Sequence, residues 1–174
     1  MVVSQMPLGS AFTKDAPCEN GMWVVADKAV GTINAPSATI AAPIGVVYTA
    51  EKEYDPYHYG LKTFGRKIAG DYPRVGLLDI GDTMTSNCFQ YDDTESGFAA
   101  TAASGDDPAK TAEENMLATV ANFASTAVYV APVTGSPIPK LTKSKPASGV
   151  YGKVVKFYTM PNGERGIKYQ IVSR

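Results

Sequence analysis

GMWVVADKAVGTINAPSATIAAPIGVVYTAE, residues 21–51, reads as three short strands joined by turns. Met22–Ala26 is the first, Ala38–Ala41 the second and Ile44–Thr49 the third. β-Branched and aromatic residues fill these runs, while Gly, Pro, Asn and Asp punctuate them. Alternation in the first strand is imperfect, so both of its faces are expected to be covered. Trp23, the single tryptophan, is expected to anchor a core.

Downstream, Tyr72–Ile80 and Thr83–Tyr91 are further strand candidates around a Gly81–Asp82 turn. A helix is expected over 108–122, capped by Asp106 or Asp107, with Pro108 at its first position. Glu113 and Glu114 lie early in it, near the positive end of the dipole. Ala109, Ala112, Met116, Val120 and Phe123 form an apolar stripe, making this helix amphipathic. Thr126–Ala131 returns to strand, and 133–148 reads as a connector with at most a short strand at Lys140–Thr142. The clearest local signal is the last. Val150–Met160 alternates, Asn162–Gly163 is a strong hairpin turn, and Gly166–Val172 returns. In that hairpin Tyr151, Val155 and Phe157 are expected to face Ile167, Tyr169 and Ile171. The expected fold is therefore mainly β, barrel or sandwich-like, with one inserted helix. Residues 1–20 form an N-terminal arm or a surface lead-in. Residues 21–174 form a single β-rich domain with a helical insert at 96–123.

Length and composition narrow the function. At 174 residues with 44% hydrophobic content, the chain can bury a real core. Only 19% of residues are charged, below the usual quarter, which suits a surface partly covered by partners. A net charge of −1 without a Lys/Arg block offers no footprint for nucleic acid. No apolar run reaches the length of a membrane span, and MVVSQMPLGSAF lacks the pattern of a secretory signal. Cys18 and Cys88 are too few for a disulfide framework and are expected to be thiols.

Catalytic constellations are not found. His58 is the only histidine, so the usual paired-His and Cys/His zinc sites are ruled out by count, and an assembly of Cys18, Cys88, His58 and an aspartate would have no motif spacing. The carboxylates of Asp92, Asp93 and Glu95 lack the calcium-loop pattern and read as solvated loop charges. No phosphate-binding glycine motif and no nucleophile elbow is present. The expectation is a protein that is not an enzyme and needs no cofactor and no metal. The loop 51–67, EKEYDPYHYGLKTFGRK, is rich in tyrosine, and Tyr and Arg are enriched where proteins meet. Tyr54, Tyr57, His58, Tyr59, Phe64 and Arg66 are its candidate interface residues. Met6, Leu8 and Phe12 are those of the arm.

Glu19–Asn20–Gly21 lead into Val24–Val25. Pro43–Ile44–Gly45–Val46–Val47 then opens onto the aromatic loop. Val128–Tyr129–Val130 precedes a glycine turn, and Val154–Phe157 and Ile171–Val172 close the chain. This order of features resembles the capsid decoration (cement) proteins of tailed bacteriophages, and the helical insert departs from their simplest members. The resemblance implies a non-enzymatic virion protein on the capsid exterior, assembled in the bacterial host cytoplasm. Its partner would be the major capsid protein, and it would form homo-oligomers, trimers among them, binding neither nucleic acid nor membrane. The same composition serves a tail-tube, head-fibre or adhesin-like module that binds other proteins or glycans.

Overall fold

The computed structural model describes residues 6–38, 43–49, 67–92, 94–95, 97–119, 126–160 and 163–174. Among these residues the architecture is mainly β, with two sheets and one short helix. Where one domain was expected, the chain divides into two compact units. Met1–Leu78 with Pro132–Ile138 make the first, and Asp79–Ala131 with Pro139–Arg174 make the second.

The first unit holds a four-stranded antiparallel sheet. Its strands are β1 (Trp23–Asp27), β2 (Thr32–Asn34), β3 (Ile44–Val47) and β4 (Val75–Leu77), in the order β2-β1-β3-β4. The second strand therefore lies earlier than the expected 38–41, of which only Ala38 is among the described residues. Turn chemistry explains the difference. The Asp27 carboxylate accepts from the Ala29 and Val30 amides at 3.0 and 3.3 Å, and Gly31 N–H donates to Asp27 C=O at 2.8 Å. The chain reverses there, which brings Thr32–Asn34 back beside Val25–Asp27. Trp23 and Val24, neighbours pointing to opposite faces, are both fully buried, so this sheet is covered on both sides as expected.

Residues 6–20 are tied to this unit and do not form a free arm. Leu8 and Phe12 are buried, and Cys18 is fully so. Leu8 bridges Ile33 in parallel, and Ile33 N–H donates to Pro7 C=O. Cys18 exchanges two backbone hydrogen bonds with Lys67 at 2.7 and 3.0 Å.

The six-stranded sheet comprises β5 (Thr83–Ser86), β6 (Gln90–Tyr91), β7 (Tyr129–Val133), β8 (Ser136–Thr142), β9 (Tyr151–Thr159) and β10 (Arg165–Ser173). Its order is β5-β10-β9-β7-β8-β6. Strand β8 is longer than expected despite Pro137 and Pro139. Asp92 N–H donates to Leu141 C=O, so odd-numbered residues of β8 turn toward β6. Strand β6 reaches only Lys140 and Leu141. The missing N–H groups of both prolines therefore fall on an edge with no pairing partner among the described residues.

Strands β5 and β6 lie at opposite edges of the sheet yet are joined only by Asn87–Cys88–Phe89. In a flat sheet those edges would stand about 24 Å apart, at about 4.8 Å per strand. The link from Ser86 to Gln90 can span at most about 14 Å. The sheet must therefore curl so that its two edge strands approach along a seam, and among the described residues it does not close into a barrel. Two bulges in β9/β10 promote the curl. Register slips between Lys168 and Tyr169, and again between Ile171 and Ser173. These slips correct the expected pairing. Phe157 does face Ile167, but Tyr169 faces Val154, Ile171 faces Gly152, and Val155 is squeezed outward. Inside the curl lie Val130, Leu141, Val154, Ile167, Tyr169 and Ile171, all buried.

The helix α1 spans Ala112–Thr119, shorter than expected; Val120 to Phe123 lie outside the described residues. Thr111, not Asp106 or Asp107, caps it. Glu114 N–H donates to Thr111 Oγ1 at 3.3 Å, and Thr111 N–H donates to Glu114 Oε2 at 2.7 Å, a reciprocal capping box. Those donors hold the Glu114 carboxyl below its usual range, the backbone amide first and the hydroxyl second. Asp106 and Asp107 belong instead to a tight reversal. Ser104 and Asp107 exchange backbone hydrogen bonds around Gly105, whose φ of 60° fits the first central position of a type II′ turn. Glu113 on α1 accepts from Arg165 Nε on β10 at 3.1 Å and, second to burial, pushes the Tyr91 hydroxyl on β6 above its usual range. The helix thus links groups from both sides of the seam.

Candidate functional site

Tyr54, Tyr57, His58, Tyr59, Phe64 and Arg66 lie outside the described residues. Of the arm candidates, Met6 is half-buried, while Leu8 and Phe12 are spent on the first unit's core. Phe12 also floors a cleft of about 450 Å³ within that unit, with Pro17, Met22 and Ile138 beside it and Asp15 and Glu19 on its lining.

The Asp92 and Glu95 carboxylates are not simple solvated charges, while Asp93 lies outside the described residues. Asp92 Oδ2 accepts from Lys140 Nζ at 2.6 Å, and its Oδ1 accepts from Thr94 Oγ1 at 2.6 Å. Glu95 accepts from the Lys143 amide at 2.8 Å, the Ser144 amide at 3.0 Å and the Ser144 hydroxyl at 2.6 Å. They fasten the 92–98 loop across β8 and its exit. Phe98, fully buried, follows, with the Lys143 ammonium 5.6 Å from its ring centre. Burial works against both charges, yet the donors outweigh it and hold both carboxyls below their usual range. Among the described residues no cluster of three or more acidic, His or Cys side chains could hold a metal. Cys18 and Cys88 are not joined in a disulfide, as expected.

These shifts carry a pH dependence of definite sign. The unfolded chain takes up protons first as pH falls, so the stabilisation is complete above the ordinary carboxyl values near 4 and is lost below them. The urea midpoint is expected to fall between pH 6 and pH 3. Glu95→Gln should lower it at pH 6 and flatten its slope with pH; an unchanged slope would show that Glu95 does not fasten the loop.

Tyr91 is different in kind. Burial, and then the Glu113 carboxylate, push its hydroxyl well above the usual tyrosine range, while Arg165 pulls the other way. Among the described residues that hydroxyl is buried without a geometrically sound hydrogen bond. A phenol held this firmly neutral is a poor base near neutral pH, so the arrangement reads as packing at the seam.

The surface with the most evident capacity to bind is the outer face of β5, β10 and β9. Alternation places Thr83, Thr85, Lys153, Lys156, Lys168 and Gln170 there, all exposed. Lys156 and Lys168 stand directly opposite each other across the strands. Among the described residues, none of the three lysines makes an ion pair; Lys140, Arg165 and Arg174 are the cations that do. Val155 and Val172, 52% and 39% exposed, are the extra residues at the two register slips. A bulge turns one additional side chain out of the alternation, so the curl that closes the core also sets two apolar groups among the lysines. Sequence reading missed this face because strict alternation sends Val155 inward. The Lys-x-x-Lys spacing of Lys153 and Lys156 resolves onto one face only once a bulge lies between them.

Comparison with family models, with characterised proteins and with solved structures gives no match. Among the described residues no helix is long and apolar enough to cross a membrane.

Proposed function

We propose that the protein is a non-enzymatic structural component of a virion, a capsid decoration protein that binds and stabilises an assembled shell of major capsid protein. One observation carries this reading: the exposed outer face of β5, β10 and β9, where lysines with no ion-pair partner among the described residues surround two apolar side chains. Like charges directly opposed across strands are destabilising in the isolated fold. A face of that kind gains from being covered. Repetition over a lattice multiplies weak contacts, so a modest patch on each copy suffices for firm attachment.

Purified protein mixed with undecorated phage capsids is expected to co-sediment with them in stoichiometric amounts. Protein left wholly in the supernatant would sink the reading. Self-assembly of the isolated protein into rings or tubes would favour a tail component instead.

A further inference from the structure

We infer that the outer face of β5, β10 and β9 is the docking surface for an acidic protein surface, one presenting carboxylates around small apolar side chains. This deepens the decoration reading and rests on it for the identity of the partner, though not for its chemistry. Charge complementarity carries the argument. The face concentrates three positive charges on a chain whose net charge is −1. Lys156 and Lys168 stand at directly opposed positions, about 5 Å apart at Cβ. Lys153 pairs with Gln170 beyond the Val155 bulge on the same face. No carboxylate occupies the β5, β9 or β10 positions of this face. The acidic residues at its far end are engaged locally: Asp79 with Arg174 at 3.4 Å, and Asp82 with the Asp79 amide at 2.8 Å.

The apolar groups decide between a protein and a nucleic acid. Val155 and Val172 offer compact knobs for packing, but a valine cannot stack on a base. The tyrosines of the same face are withdrawn. Tyr151 is buried against Tyr129, with ring centres 5.9 Å apart. Tyr158 lies across Gly166 with its hydroxyl out of solvent. No exposed ring is left as a stacking platform on these strands, while lysines and apolar knobs together suit a carboxylate-bearing protein surface.

The test uses the full chain and two labelled probes of equal length and charge: poly-L-glutamate and a single-stranded DNA oligonucleotide. Poly-L-glutamate is expected to bind with an affinity that falls as salt rises. The triple variant K153Q/K156Q/K168Q should weaken it about tenfold, the combined effect of three surface charge pairs, with K153R/K156R/K168R restoring it. Circular dichroism of the variants confirms that they fold. An affinity unmoved by the triple variant overturns the inference. So does tighter binding of the oligonucleotide through the same lysines, which would assign the face to nucleic acid. The two readings fail separately. Wild-type protein that binds poly-L-glutamate through the lysines but ignores capsids refutes the decoration role alone. Protein that coats capsids equally well with and without the lysines refutes this docking surface alone.

Discussion

Trp23→Ala is expected to destabilise the protein by about 3–5 kcal/mol, the cost of emptying an aromatic site in a well-packed core. That is a large share of the roughly 5–15 kcal/mol that holds a typical domain together. The indole is fully buried in β1, paired across to Val46 on β3, with β2 bonded along the other edge of β1. Both faces of the sheet are covered there, so collapse around the gap is constrained from two sides. Urea unfolding followed by far-ultraviolet circular dichroism measures the loss. A change below about 1 kcal/mol would mean that the first sheet does not pack around the indole.

Gly152 and Tyr169 are expected to behave as a coupled pair. A methyl group at Gly152 would lie 2.7 Å from the Tyr169 ring and 3.2 Å from the Gln170 carbonyl oxygen, inside van der Waals contact with the first. Gly152→Ala alone should therefore cost about 1–3 kcal/mol through overpacking. Tyr169→Ala alone should cost about 3–5 kcal/mol, because this fully buried ring fills the inside of the curl. In the double variant the methyl group enters space the ring has vacated, so the two losses should sum to more than the measured total. Strictly additive losses would show that the ring does not lie over Gly152.

The parts of the fold legible in the sequence were those with local causes. The closing hairpin is one: alternation from Val150 and the return from Gly166 correspond to β9 and β10. Trp23 as a core anchor and the strand at Ile44 are others. Non-local causes were not legible. Nothing near Leu8 or Phe12 announces that Ile33, Lys67 and Ala69 will bond to their segment. Thr111 and Glu114 do form a readable capping box, but Asp106–Asp107–Pro108 offers a rival start that only the Gly105 reversal removes. The candidate site was hidden for a related reason. A bulge is a relation between two strands, and neither strand alone reveals which residue will be turned out.

The division of the chain has a consequence for its synthesis. The first unit is interrupted after Leu78 and is completed only by Pro132–Ile138, where Gly135 N–H donates to Pro36 C=O and Pro137 and Ile138 line the cleft. A ribosome adding about 5–20 residues per second takes roughly 3–12 s to extend the chain from Leu78 to Ile138. During that interval the nascent first sheet waits without its last piece, and the second unit cannot finish before the first has received it. The first unit can be whole once Ile138 has emerged and the second only after the strands that follow, so premature termination anywhere before Ile138 leaves both incomplete.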